Sequence, residues 1–184
     1  MGMERPQERI YRGFEFEEAC LGHKIDWDSV LHQNKISPEK LNLREWTEII
    51  KKLYPEDPIM PKQKWGRDLY DFVADKLELD IENPEGLMFF NSLGTPLDRK
   101  RDTDCFFVFK NPKTKKEALF TIDLTSDPRE LTPGVTHQDS LNQADLVIGE
   151  MPDYHKYPEA YILEMEKIAD KISEKLKDKT ETVH

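Results

Sequence analysis

Three short apolar segments follow one another between residues 87 and 125, and they constrain the fold more than any other feature. They are LMFFNSL (87–93), DCFFVF (104–109) and ALFTIDLT (118–125). Turn residues such as Gly94 and Pro112 separate them, as is typical of successive β-strands. The middle segment is apolar at every position after its first, so both of its faces are expected to be buried. The pattern therefore predicts three consecutive strands with the second at the centre of a sheet.

Apolar residues at helical spacing lie on both sides of these strands. The predicted elements are a helix from Ser37 to Tyr54, a helix from Trp65 to Leu79, a short helix at 136–143, a fourth strand at 145–149 and a helix from Pro158 to Leu176. A helix between the third and fourth strands favours a parallel crossover. The order predicts an α/β fold, with an α-β-β-β-α-β core whose mixed sheet carries helices on both faces. The tail KDKTETVH, residues 177–184, is expected to fray.

The segment PEDPIMPKQK, residues 55–64, contains three prolines and predicts a linker. A boundary near residue 62 then divides a helical N-terminal arm or appendage, residues 1–62, from an α/β domain at 63–184 that includes the C-terminal helix. Residues 1–36 show few periodic apolar positions, which predicts little burial in the core. Deletion of residues 1–36 is therefore expected to leave a soluble protein that unfolds cooperatively.

The charge distribution bears on nucleic-acid binding. The net charge of −10 argues against a protein that coats nucleic acid through bulk electrostatics, because phosphate groups are neutralised by Lys and Arg. Residues 98–116 nevertheless hold seven basic side chains against three acidic ones, a local excess of four positive charges. The basic cluster at 99–116 is therefore a candidate DNA-binding surface, and the alternative is a set of solvated loop charges.

Two further features indicate the compartment. No apolar run approaches the roughly 20 residues that a membrane-spanning helix needs, and the N-terminal MGMERPQERI is charged where a secretory signal is apolar. The cysteines are Cys20 and Cys105, and the second lies inside an apolar strand, which favours a reduced and packed thiol. We therefore expect a cytoplasmic protein without membrane association or a disulfide framework.

Two aspartates interrupt the apolar strands. Asp104 begins the second strand, and Asp123 lies within the third, where it shares a face with Thr121 and Thr125. Burying an ionised carboxylate costs several kcal/mol unless a cation or a donor compensates it. If the two strands are neighbours, their ends bring both carboxylates within reach of one divalent cation, which prefers hard oxygen ligands. The sequence therefore predicts a Mg²⁺ or Mn²⁺ site at Asp104 and Asp123.

The stretch GTPLDRKRDTDCFFVF followed by ALFTIDLT, in its α-β-β-β-α-β order, resembles the restriction-endonuclease-like fold with its PD-(D/E)xK signature. The resemblance covers residues 65–150. It implies that Asp104 is the first acid and Asp123 the second, and that both hold the metal ion while a metal-activated water cleaves a phosphodiester in DNA. The lysine of the signature falls at Thr125, where the chain departs from the pattern, and a neutral hydroxyl does not supply the lysine's charge.

Other residues are candidates for the incomplete site. Lys100 and Lys116 flank the strands and are candidates to replace the signature's lysine. Asp98 precedes Asp104 by six residues and is a candidate third metal ligand, with bracing of its own turn as the alternative.

The functional hypotheses follow from this site. The first is a metal-dependent nuclease or nuclease relative, a hydrolase acting on DNA. The second is a catalytically inactive domain of the same fold that binds a protein or a nucleic acid, and the third is an unrelated α/β protein whose acids cap strands. The pattern leaves the oligomeric state open.

Overall fold

A four-stranded mixed sheet and six helices make up the part of the chain that the computed structural model describes, which is residues 15–38, 41–80, 86–126 and 144–181. The elements in chain order are α1 (15–21), α2 (Trp27–Gln33), α3 (Leu43–Leu53), α4 (Lys64–Lys76), β1 (Leu87–Asn91), α5 (Pro96–Arg101), β2 (Cys105–Lys110), β3 (Glu117–Leu124), β4 (Leu146–Ile148) and α6 (Pro158–Glu181).

The strands lie in the order β1-β2-β3-β4. β1 and β3 each pair antiparallel with β2, and β4 pairs parallel with β3. The predicted α/β class, the mixed sheet, the interior position of β2 and the pairing of the second and third strands are thus confirmed. The predicted crossover helix at 136–143 lies outside the described residues.

Helices cover both faces of the sheet, because β2 is apolar on both sides. On the first face, α1, α4 and α6 pack against Cys105, Phe107 and Phe109 and their neighbours. On the second face, α2 and α3 pack against Phe90 and Phe106, whose rings stack across β1 and β2 with centroids 5.1 Å apart. Each fully buried Phe contributes roughly 1.5–3 kcal/mol relative to an exposed one, so both layers are needed for stability.

The N-terminal segment is part of the core, contrary to the expectation of little burial. Cys20 and Leu21 of α1 are 4% and 7% exposed, and Trp27 and Leu31 of α2 are 4% and 2% exposed. These residues lie in two separate helices, of which α2 has seven residues and is too short to display a helical period clearly. The predicted division at residue 62 therefore does not separate two hydrophobic cores.

The proline-containing segment after α3 closes an edge of the sheet. The Phe89 N–H donates to the Pro58 carbonyl at 2.8 Å, and the Asn91 N–H donates to the Tyr54 hydroxyl at 3.1 Å. These are outward-facing groups of β1, which is an edge strand. A segment that we predicted as a linker thus satisfies backbone donors that an uncovered edge would leave open to other chains.

α3 begins later in the chain than the predicted start at Ser37. The pair Ser37-Pro38 does not begin α3, which starts at Leu43 behind a capping box of Asn42 and Glu45. In that box the Glu45 N–H donates to Asn42 Oδ1 at 3.0 Å, and the Asn42 N–H donates to Glu45 Oε2 at 2.8 Å. The reciprocal pair of bonds outweighs a lone serine followed by proline.

The C-terminal helix is longer than predicted. α6 continues to Glu181, so the expected fraying is wrong for residues 177–181. Thr180 is fully buried, and its hydroxyl accepts a hydrogen bond from Asn111 Nδ2 at 3.2 Å. The contact with the β2–β3 connection keeps residues 177–181 helical, although their charged sequence alone favours fraying.

Candidate functional site

The two predicted acids lie at one end of the sheet, where β1, β3 and β4 finish and β2 begins. Asp104 is only 3% exposed. Its backbone N–H donates to the Ile122 carbonyl at 2.9 Å, and its Oδ2 accepts the Leu124 N–H at 2.7 Å. Asp104 is thereby bound to the residues on both sides of Asp123, so the structure brings the two predicted acids together.

The alternation in β3 agrees with the sequence prediction for its faces. Ala118, Phe120, Ile122 and Leu124 are buried in the first core, whereas the intervening residues are less buried. Asp123 is on the opposite side from that core and is partly exposed. A partly exposed carboxylate beside a buried one is an arrangement that a cation entering from solvent can reach.

Two more carboxylates are close enough to act on this pair electrostatically. Glu17 comes from α1, and Asp98 comes from α5. Both raise the pKa of Asp104, and Asp98 and Asp123 raise the pKa of Glu17. We call these four residues the carboxylate cluster. Glu17 could not be found from the sequence, because α1 is distant in the chain and has no metal-ligand spacing to the strands.

Two members of the carboxylate cluster, Asp104 and Glu17, keep their protons at pH values at which isolated carboxyl groups are ionised. Burial raises the pKa of Asp104 to about 9, with Asp123 and Glu17 adding to the effect and the Leu124 N–H opposing it. Burial also raises the pKa of Glu17 to about 7, aided by Asp98 and opposed by Lys24. A cation bound in place of these protons would offset the cost of burying ionised carboxylates and the repulsion between them.

Asp98 braces its own turn, which was the alternative considered for it. Its Oδ2 accepts the Gly94 N–H at 2.6 Å. The turn leads into α5, where Thr95 is the N-cap and Pro96 takes the first helical position. One oxygen of the predicted third metal ligand is therefore engaged with the backbone.

Of the two predicted lysines, Lys116 lies far from the carboxylate cluster. Lys116 immediately precedes β3, whereas Asp123 lies near its end, so about seven residues at about 3.3 Å each separate them by about 23 Å. A lysine side chain does not span that distance, and the prediction of a catalytic Lys116 is corrected on this ground. The side chain of Lys100 lies outside the part of the chain that the structure describes.

The fold also divides the predicted basic cluster at 99–116. Arg99 is exposed on α5, at the end of the sheet that carries the carboxylates. Lys110, Lys113, Lys115 and Lys116 lie at the β2–β3 connection, which is the opposite end. The cluster is therefore continuous only in sequence, because the antiparallel hairpin separates its two halves along the length of β2.

Thr125, at the position of the signature's lysine, has a structural contact. Its backbone N–H donates to the Ile148 carbonyl at 2.9 Å, which links the end of β3 to β4. The residue is buried, with 8% of its surface exposed. A short, neutral and buried side chain at this point supplies no positive charge to the neighbouring carboxylates.

Three further properties of residues 15–38, 41–80, 86–126 and 144–181 bear on function. In these ranges, no three His, Cys, Asp or Glu side chains are arranged to hold a metal ion together. Cys20 and Cys105 are buried free thiols, and the packed position was expected for Cys105 alone. Among the described helices, none combines the length and apolar character that crossing a membrane requires.

Comparisons with known proteins add no relative to this description. No protein-family model, no curated protein and no solved structure matches the chain.

Proposed function

We propose that the protein is a metal-dependent nuclease or nuclease relative that acts on phosphodiesters in DNA, with Asp104 and Asp123 as the residues that hold Mg²⁺ or Mn²⁺. The observation that carries the proposal is the pairing of these acids at one end of the sheet. Asp104 is hydrogen-bonded to both neighbours of Asp123, in adjacent strands of a mixed sheet. The order and pairing of the strands are compatible with the fold that the motif resembles.

The donor set fits a hard divalent cation. Mg²⁺ keeps several waters and is typically bound through one or two protein carboxylates together with substrate phosphates, so a third ligating side chain is not required. The buried carboxyl of Asp104, whose pKa is raised to about 9, would become more stable as an anion next to a cation. When bound, the ion supplies Lewis acidity and an activated water for attack on phosphorus.

The protein residues have distinct tasks in this proposal. Asp104 is held rigidly, because its backbone N–H and its carboxylate are both hydrogen-bonded to β3. Asp123 is the more accessible oxygen donor. Asp98 fixes the turn at Gly94, and Glu17 brings additional negative charge from α1. Together they favour the binding of a cation at this end of the sheet.

The second candidate is a catalytically inactive domain of the same architecture that binds a protein or a nucleic acid. The buried Thr125 favours it, because this residue occupies the position of the signature's lysine and offers no charge. A metal-binding domain without cleavage activity would belong to this class.

Thermal unfolding with and without metal tests the proposal. We expect excess Mn²⁺ to raise the melting temperature of the native protein over its value in EDTA, because a ligand at 100 times its Kd stabilises by about 2.7 kcal/mol. Asp104→Asn and Asp123→Asn should lose this gain. Glu174→Gln is the matched control, since Glu174 is an exposed acid on α6 away from the cluster. A native protein that melts at the same temperature with Mn²⁺ and with EDTA contradicts the metal site.

A cleavage assay then separates the two candidate functions. Supercoiled plasmid and labelled single-stranded DNA are incubated with the protein in Mg²⁺, Mn²⁺ or EDTA. Metal-dependent nicking that Asp104→Asn abolishes supports the nuclease. A metal-dependent rise in melting temperature without any cleavage supports the inactive domain.

A further inference from the structure

The connection between α1 and α2 crosses the end of the sheet that carries the carboxylate cluster. α1 packs in the core on the first face through Cys20 and Leu21, and α2 packs on the second face through Trp27 and Leu31. The connecting residues 22–26 must therefore pass around the sheet. The side chain of Asn91, the last residue of β1, donates to the Leu21 carbonyl at 3.2 Å, which places the crossing at this end.

Lys24 is in the middle of this crossing. Its aliphatic carbons lie over the turn at Gly94, because a Cβ added to Gly94 would lie 3.5 Å from Lys24 Cδ and 3.8 Å from its Cγ. The Gly94 N–H in turn donates to Asp98 of the carboxylate cluster. Lys24 is an exposed residue, so its stem packs on protein while the residue remains accessible to a ligand.

The negative charge of the carboxylate cluster opposes the binding of a phosphate group, and a nearby cation offsets this repulsion. A phosphodiester that approaches Asp104, Asp123, Glu17 and Asp98 is repelled by every ionised carboxylate, and one divalent ion offsets only part of that charge. Thr125 is neutral, and Lys116 lies about 23 Å away along β3. Positive charge for a phosphate group at this end can come from other segments, among them Arg99 on α5 and Lys24 on the connection between α1 and α2.

We propose that Lys24 supplies this positive charge by binding a phosphate group of the nucleic-acid substrate beside the carboxylate cluster. The inference rests on the proposed function and names a residue that the motif does not contain. The lysine acts as a charge and not as a base, because an ammonium group offers three donors and no acceptor.

The test compares Lys24→Met and Lys24→Arg with the native protein in metal-dependent DNA cleavage. We expect Lys24→Met to lower kcat/KM by about 10²-fold, the usual cost of removing one charge-stabilising donor. Lys24→Arg keeps the charge and should retain cleavage within about tenfold of the native protein. Lys175→Met is the matched control, because Lys175 is an exposed lysine on α6, outside both the carboxylate cluster and the basic cluster at 99–116.

A binding measurement makes the outcome specific to Lys24. Fluorescence anisotropy of labelled DNA in Ca²⁺ should show weaker binding by Lys24→Met than by Lys175→Met, with equal melting temperatures for the two variants. Native-like cleavage and binding by Lys24→Met would overturn the role of Lys24 while leaving the nuclease proposal standing. Loss of activity in Lys24→Arg equal to that in Lys24→Met would overturn the charge role. A native protein that neither responds to Mn²⁺ nor cleaves DNA would instead remove the proposed function, and the Lys24 inference with it.

Discussion

Replacing Asp104 by asparagine should stabilise the metal-free protein, although it removes a predicted functional group. Asp104 is 3% exposed, and burial together with Asp123 and Glu17 raises its pKa from 3.8 to about 9. The folded protein therefore binds more protons than the unfolded chain between these two pH values. Stability must fall as pH rises through this window, and the loss is absent below the unfolded pKa.

The size of the effect follows from this pKa difference. At pH 7 the unfolded carboxyl is about three pH units above its pKa of 3.8, and each unit is worth about 1.4 kcal/mol. At pH 7 the native protein is therefore up to about 4 kcal/mol less stable to unfolding than the same protein with a side chain that does not ionise at position 104. Asparagine avoids this loss, and its amide oxygen can still accept the Leu124 N–H that now binds Asp104 at 2.7 Å.

We expect Asp104→Asn to gain about 2–4 kcal/mol at pH 7 in EDTA, which is roughly 5–15 °C in melting temperature for a chain of this size. The gain should shrink to under about 2 kcal/mol at pH 5, where the unfolded carboxyl is only about one unit above its pKa. Calorimetry or urea unfolding at pH 5, 7 and 9 measures it, and the exposed Glu174→Gln variant should show no such dependence. A variant that is less stable than the native protein by the same amount at every pH would refute the reasoning and identify Asp104 as a stabilising contact.

The remaining predictions concern the core and the second titrating acid. Deletion of residues 1–36 should abolish cooperative unfolding, because it removes Trp27 at 4% exposure and Leu31 at 2%, and circular dichroism during heating checks this. Phe106→Ala, at a fully buried position between the two layers, should cost about 3–5 kcal/mol in urea unfolding. Burial and Asp98 raise the pKa of Glu17 from 4.5 to about 7, so the metal-free protein should lose stability from pH 5 to pH 7 through this group, and Glu17→Gln should flatten that slope. In the folded protein Cys105 should react with a thiol reagent only as fast as the protein unfolds, because the residue is fully buried and burial raises the pKa of its thiol.

The local sequence was sufficient for the elements that depend on alternation or helical spacing. The strands β1, β2 and β3 start and end within two residues of their predicted limits, because side chains alternate strictly in buried strands and turn residues separate them. β2 has apolar residues on both of its faces. Its sequence alone therefore indicates that a covering layer must pack on each face of the sheet. The juxtaposition of Asp104 and Asp123 followed from the same reasoning, since neighbours in an antiparallel hairpin are set by the chain connection.

Contacts between distant segments could not be obtained in this way. α2 is too short for a clear period, and burial against the sheet makes α1 and α2 part of the core. The apparent basic cluster at 99–116 was an effect of sequence proximity, because β2 carries its two halves to opposite ends of the sheet.

The sequence by itself determined the α/β class, the central strand and the pair of aspartates, because these depend on side-chain period and on neighbours along one hairpin. The tertiary structure alone decided that Glu17 and Lys24 lie near that pair, since this requires α1 to lie on one face, α2 on the other, and their connection to cross the end of the sheet. Burial then raises the pKa of Asp104 to about 9, a property that the same residue would not have in a short peptide.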